Sequence, residues 1–161
     1  MTIRPVEKAD IDTLLQMVRE LASFEKLLDQ VVATGEDYHK ALFGEHSTAE
    51  AVIAEENGEP AGYAIFFPTF SSFVGQSGIW LEDLYVRPPF RKRGIGGKLL
   101  HYVAKIARDR GARRFDWCVL DWNQNAIDLY SRAGGEILDE WRIVRMNEKA
   151  IADFVAKFEL P

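Results

Sequence analysis

The sequence predicts a single α/β domain on a mixed sheet, with early strands pairing antiparallel, a later parallel strand–helix–strand crossover, and helices on the flanks. Three observations predict it. Apolar residues change from helical spacing to alternation and back along the chain. An Asn57-Gly58 pair separates two alternating runs, and a segment rich in glycine and arginine stands between a strand and a helix. The 161 residues carry no internal repeat, low-complexity tract or linker, so one domain over residues 1–161 is expected.

Ile3 to Val6 reads as a short strand. Ala9 to Phe24 reads as an amphipathic helix, because Ile11, Leu14, Leu15, Val18, Leu21 and Ala22 recur at helical spacing. Asp10 and Asp12 stand near its start, where the helix dipole favours them. After a loop from Glu25 to Val32, Thr34 with Asp37 three residues on forms a capping-box pattern for a second helix ending near Phe43-Gly44. Glu50 to Glu56 and Glu59 to Pro68 read as strands joined by the Asn57-Gly58 turn. Thr69 to Gly78 reads as a loop exposing Phe70, Phe73 and Val74, and Ile79 to Val86 as the next strand, ended by Pro88 and Pro89.

Gly97 to about Arg110 reads as a helix stopped by Gly111. Arg113 to Leu120 reads as a central strand, Gln124 to Ala133 as a helix ended by Gly134-Gly135, Glu136 to Met146 as one bent strand or two, and Ile151 to Phe158 as a terminal helix.

Composition excludes several classes. Hydrophobic residues make up 47% and charged residues 28%, too apolar for a disordered chain. A single cysteine, Cys118, rules out an intramolecular disulfide and a cysteine-based zinc cluster; on a central strand beside Trp117 it is expected to be buried. His39, His46 and His101 are scattered, so no metal site is expected. No apolar run approaches the roughly 18–20 residues that span a bilayer, and the first residues turn polar too soon for a signal peptide. A cytoplasmic protein without membrane partners is the expectation. Phe115, Trp117, Trp122 and the Phe66-Phe67 pair are expected in the core.

The formal net charge of −5 argues against general nucleic-acid binding, but it conceals an asymmetry. Leu84 to Arg108 holds no acidic residue and seven basic ones: Arg87, Arg91, Lys92, Arg93, Lys98, Lys105 and Arg108. That segment carries +7, which leaves −12 on the rest of the chain. Only Phe90 and Tyr102 interleave aromatics with these cations, and no nucleic-acid motif accompanies them, so no nucleic-acid partner is expected.

Within the basic segment lies Arg91-Lys92-Arg93-Gly94-Ile95-Gly96-Gly97-Lys98. Glycines bring backbone N–H groups close to a ligand, and a first helical turn offers unpaired N–H groups at the positive end of a dipole. The combination suits a pyrophosphate. A Walker A loop is excluded because Leu99 follows Lys98, and a dinucleotide fingerprint because Leu99 stands where its third glycine belongs. A short run of this composition is more often a solvated turn; the strand–loop–helix setting and the isolated charge favour a ligand.

Arg91 to Gly96 resembles the Arg/Gln-x-x-Gly-x-Gly/Ala signature of the GNAT N-acetyltransferase superfamily. Trp80-Leu81-Glu82-Asp83-Leu84-Tyr85-Val86, Trp122-Asn123, Ile127 and Tyr130 resemble the diamine (spermidine/spermine) and thialysine acetyltransferase subfamily. Ile3-Arg4-Pro5, Phe24-Glu25, Gln30-Val31, Phe43-Gly44-Glu45-His46 and Trp141-Arg142 extend the similarity over nearly the whole chain. The resemblance implies acetyl transfer from acetyl-CoA, without a metal, to a primary amine of a small cationic substrate, in a homodimer.

By the same resemblance Leu84, Tyr85 and Val86 run along the pantetheine arm, and Arg91, Lys92, Arg93, Gly94, Ile95, Gly96, Gly97 and Lys98 hold the phosphates. Asn123 and Tyr130 lie toward the pantetheine, and Arg132 reaches a phosphate. Tyr130 is the implied general acid, since a phenol with a pKa near 10 keeps its proton at neutral pH. Its residue-level alternative is a buried helical stripe with Ile127. Glu82 is the implied base, acting through water and also contacting the substrate. On sequence alone the Glu82-Asp83 pair reads equally as a salt-bridge site, and strand alternation puts the two on opposite faces.

Glu25, Asp139, Glu140 and Trp141 are the implied substrate residues. Ser71-Ser72-Phe73 stands where the diamine enzymes carry an Asp and a Trp, and a one-residue insertion falls around Gln76 to Gly78. The acid-x-Trp spacing before Trp141 is also altered. These departures favour an amine smaller than a long polyamine, such as a lysine-like compound. The alternatives left open are a catalytically silent acyl-CoA-binding module and a family enzyme acting on a peptide amine.

Overall fold

The computed structural model describes residues 1–157. Its chain clusters into two compact units, Met1–Gln124 and Asn125–Pro161. The first carries the sheet. Its elements are β1 (Thr2–Pro5), α1 (Ile11–Phe24), α2 (Gly35–Phe43), β2 (Glu50–Glu56), β3 (Glu59–Ser71), β4 (Gln76–Val86), α3 (Ile95–Asp109) and β5 (Phe115–Trp117). Short 3₁₀ turns stand at Lys8–Asp10, Leu28–Gln30 and Pro88–Phe90. The sheet order is β1-β2-β3-β4-β5, antiparallel up to β4, with β5 parallel to β4 across α3. A mixed sheet with one crossover is the expected architecture.

Each face of the sheet buries one side of the pleat. Ile53, Tyr63, Ile65 and Tyr85 pack with Leu14 and Met17 of α1, and Tyr38, Leu42 and Phe43 of α2 close over them. The intervening residues Val52, Ala54, Ala64, Phe66 and Leu81 are buried on the other side, where α3 contributes Ile95, Leu99, Leu100, Val103 and Ala107. Local chemistry sets the helix ends. Thr34 Oγ1 accepts from the Asp37 N–H (3.3 Å) while Asp37 accepts from the Thr34 N–H (2.8 Å), the reciprocal capping box the sequence predicts. Asn57 and Gly58 both take positive φ, 55° and 80°, as a two-residue hairpin turn requires.

One extra residue in β4 reorganises its faces. Ile65 pairs with Asp83 while Phe66 pairs with Leu81, so Glu82 is an unpaired bulge residue. Leu81 and Leu84 therefore serve the α3 side, whereas Asp83 and Tyr85 pair with Ile65 and Tyr63 on the α1 side. Simple alternation would have carried Asp83 with Leu81.

Several expectations need correction. Residues 69–78 are largely not a loop: β3 and β4 continue as a paired ribbon, with Thr69 opposite Gly78 and Ser71 opposite Gln76. Phe70 and Phe73 are exposed on it as expected. The sequence placed strand over Arg113 to Leu120, but the β5 ladder covers only Phe115–Trp117; Cys118 lies past its end and is exposed rather than buried. Trp122 is 51% exposed rather than core.

The next helix, α4 (Gln124–Arg132), belongs to the second unit from Asn125 onward and ends where expected. There the Gly135 N–H reaches Tyr130 O (2.9 Å) and Gly134 sits at φ 89°. No strand forms over residues 136–146. Their apolar residues come as adjacent pairs, Ile137-Leu138 and Ile143-Val144, which gives no single apolar face, and a turn at Asp139-Glu140 interrupts them. α5 (Glu148–Lys157) begins earlier than expected, and Phe158 lies outside the described residues. No helix among the described residues is long and apolar enough to cross a membrane.

Candidate active site

Pro88 and Pro89 end β4 and close a 3₁₀ turn, in which Phe90 N–H bonds Arg87 O (2.9 Å). The chain then turns into α3 through two left-handed residues, Lys92 (φ 62°) and Gly94 (φ 77°). Gly94 is the N-cap. No side chain caps it, and no acidic residue stands in the first turn. The first helical hydrogen bond runs from Lys98 N–H to Gly94 O (3.0 Å), so the N–H groups of Ile95, Gly96 and Gly97 lie ahead of the helical ladder. The helix starts two residues earlier than the sequence suggested, which draws Ile95 and Gly96 into that first turn.

The segment's charges divide by partner. Arg87 is held by Glu20 in a two-pronged pair (2.8 and 2.9 Å), Arg93 by Glu56 (2.7 Å), and Lys105 and Arg108 both by Asp109. Among the described residues Arg91, Lys92 and Lys98 have no carboxylate partner. Unsatisfied N–H groups, an uncapped dipole and three cations without a carboxylate partner at one helix start suit a pyrophosphate. Leu84, Tyr85 and Val86 precede this turn on β4, with Tyr85 buried at 5% exposure.

A second cluster, acidic, lies on the α1 side of β4. Tyr63 OH donates to Asp83 Oδ2 at 3.1 Å. Burial pushes the half-buried Asp83 carboxyl up to about 6, with the neighbouring charges of Glu82 and Glu25 adding to the rise and the Tyr63 bond opposing it. Burial also lifts the Tyr63 phenol well above its ordinary value, and lifts Tyr38 to about 12 with Asp83 and Glu82 adding to the rise. Glu25, the C-cap of α1, is raised by burial. The bulge leaves Glu82 itself exposed, where it accepts from Trp80 Nε1 (2.9 Å). No basic side chain pairs with Glu25, Glu82 or Asp83 among the described residues.

Of the sequence-derived residues, the structure thus brings Glu25 and Glu82 into one neighbourhood and adds Asp83, Tyr38 and Tyr63, which sequence reading missed. An acidic pair, Glu82-Asp83, inside an otherwise apolar strand was the available signal. Asn123 follows the exposed Trp122, with its N–H on Leu120 O (2.9 Å). Tyr130 and Arg132 belong to α4, Tyr130 buried at 9% exposure and Arg132 exposed. Asp139, Glu140 and Trp141 are exposed at a turn in the second unit, with Trp141 N–H on Leu138 O (3.2 Å).

The Asp83 environment has a measurable consequence. The folded chain holds the Asp83 proton more tightly than the unfolded chain does, so this group lowers stability as pH rises from about 4 to about 6. Above that window the penalty is complete. Asp83→Asn keeps an acceptor for Tyr63 and removes the charge. It should raise unfolding free energy by about 2 kcal/mol at pH 7.5 and by only about a fifth of that near pH 4. Urea unfolding at the two pH values checks this; an equal effect at both would mean that ionisation is not the cause.

The GNAT acetyltransferase family model matches residues 15–135. The thialysine N-epsilon-acetyltransferase of Sus scrofa is 37% identical over 96% of this chain and 97% of its own. The Caenorhabditis elegans protein of the same name is 40% identical over 89% of each chain. A solved integron cassette protein from the mobile metagenome of V. cholerae shares the fold, with a TM-score of 0.78 at 24% identity and 96% coverage of each chain. The family model covers most of the chain and the relatives match it over nearly its whole length, so the chain belongs to the GNAT acetyltransferase family and is an N-acetyltransferase.

Proposed function

We propose that this enzyme acetylates the primary amine of a small cationic, lysine-like substrate such as thialysine, working as a homodimer in the cytoplasm. The observation that carries the substrate class is the group Glu25, Glu82 and Asp83, which share a neighbourhood without a cationic partner among the described residues. Carboxylates left together in a partly buried place favour a bound ammonium ion. The compact character of the substrate is supported by Ser71-Ser72-Phe73, which adds no further carboxylate, and by the thialysine acetyltransferases matched over nearly their whole length.

Acetyl-CoA supplies the thioester whose acetyl group passes to the amine. Ile95, Gly96 and Gly97 N–H groups bind the pyrophosphate with Arg91, Lys92, Arg93 and Lys98, Arg132 adds a phosphate contact, and the Leu84–Val86 main chain aligns the pantetheine with Asn123. An ammonium with a pKa near 10 must lose a proton before its nitrogen can attack, and Glu82 accepts that proton through a bridging water. As the C–N bond forms and the C–S bond breaks, Tyr130 delivers its hydroxyl proton to the departing sulfur. The second proton, shed by the new amide nitrogen, restores the phenol. Glu25, with Asp139, Glu140 and Trp141, reads the far end of the substrate.

CoA release with thialysine, lysine, putrescine, spermidine and a basic peptide tests the reading. Thialysine or lysine should give the highest kcat/KM, with spermidine lower. Preference for the long polyamine or the peptide would overturn the substrate class. CoA binding with no turnover of any amine would mean a silent module.

A further inference from the structure

Arg91 is held by a backbone carbonyl and two rings, whereas Arg93, which lies 5.7 Å from the centre of the Phe90 ring, is paired with Glu56. Arg91 Nε donates to Val86 O at 2.8 Å, and its guanidinium carbon lies 5.1 Å from the centre of the Phe24 ring and 5.6 Å from that of Tyr85. The Phe24 ring in turn meets the Trp122 indole, with centroids 5.5 Å apart and planes at 54°. One column of side chains therefore joins the end of α1, the end of β4, the glycine loop and the residue before Asn123.

Phe24 is fixed in that column by its own backbone. α1 ends with Leu27 N–H on Ala22 O (2.8 Å) and Lys26 N–H on Ser23 O (3.2 Å), with Lys26 at φ 62°. This Schellman closure sets where the last helical residue projects. Phe24 nevertheless leaves 38% of its surface exposed, so core burial is a poor account of why an aromatic ring stands there.

An exposed arginine ordinarily samples many rotamers, and ordering it costs entropy when it meets a ligand. Here Nε is satisfied and the planar group is set against two rings. The terminal Nη donors, which match a phosphate in pairs, have no protein partner among the described residues. Among the described residues Lys92 and Lys98 have no such fixation.

We infer that Phe24 is a positioning residue for the cofactor: its ring, buttressed by Trp122, holds the Arg91 guanidinium ready to grip a CoA phosphate. The idea rests on the assignment of the glycine loop to acetyl-CoA. It adds that an aromatic residue on α1, outside the loop, sets part of the affinity for the phosphates.

Calorimetric titration with CoA tests it without reference to turnover. Phe24→Leu should weaken CoA binding two- to fivefold, the loss expected for one exposed cation–π contact. Phe24→Tyr, which keeps the ring, should bind as the wild type does. In an Arg91→Ala background Phe24→Leu should change nothing further, since the coupling runs through the guanidinium. S-acetylpantetheine, which lacks the phosphates, should bind wild type and Phe24→Leu alike. Equal weakening for both ligands, or the same loss with and without Arg91, would reduce Phe24 to a structural residue and overturn the inference. Wild-type protein that fails to bind CoA would overturn the cofactor assignment itself, a different result from CoA binding that ignores Phe24.

Discussion

Tyr130→Phe should lower kcat by about 100-fold or more while leaving the dissociation constant of acetyl-CoA nearly unchanged. Phenylalanine retains the ring that α4 buries, where Tyr130 is 9% exposed, and deletes only the hydroxyl. If that hydroxyl supplies the proton to the departing sulfur, its loss acts on the transition state and not on cofactor binding. A packing role makes a different prediction: loss of a buried hydroxyl would shift stability by about 1 kcal/mol and leave turnover in the folded protein intact. Steady-state kinetics, CoA titration and urea unfolding on one preparation separate the two. An unchanged kcat would remove Tyr130 from the chemistry.

The features legible in the sequence were those set within a few residues. The α1 stripe, the Thr34–Asp37 box, the Asn57-Gly58 turn and the glycine loop each depend on neighbours three or four positions away, and each formed. What stayed hidden depends on pairing between distant segments. The bulge at Glu82 exists only in the register of β4 against β3, and no property of Leu-Glu-Asp-Leu announces it. Because of it Asp83 turns toward Tyr63 and α1, where its proton becomes hard to remove. Residues 136–146 err in the opposite direction, since β-branched and apolar residues suggested a ladder that their paired spacing does not make. Arg91 was legible as a cation in a phosphate loop, yet its engagement with Phe24 spans 67 positions of sequence and had no local signal.

Gly62→Ala should be the most damaging small substitution in the sheet, lowering unfolding free energy by about 3 kcal/mol. Gly62 pairs with Val86 at the end of β4 that leads into the glycine loop. A Cβ there would stand 2.4 Å from the Tyr85 carbonyl oxygen, 3.2 Å from Val86 Cα and 3.4 Å from Leu99 Cδ1. The first two are backbone, so no rotamer change relieves them; β3 and β4 must part, and α3 must shift with them. Relief is opposed on both faces, because Tyr63 and Tyr85 are packed against α1 while Leu99 is fully buried in α3. The strain therefore lands on Tyr85 and Val86, whose main chain is assigned to the pantetheine, and on the Val86 carbonyl that Arg91 holds. Two losses should appear together: a lower urea midpoint with an unchanged slope, and CoA binding weakened at least tenfold under conditions where the variant remains folded. Lower stability with intact CoA affinity would show that the strands can separate without disturbing the edge that reads the cofactor, and would break the link drawn between this glycine and the site.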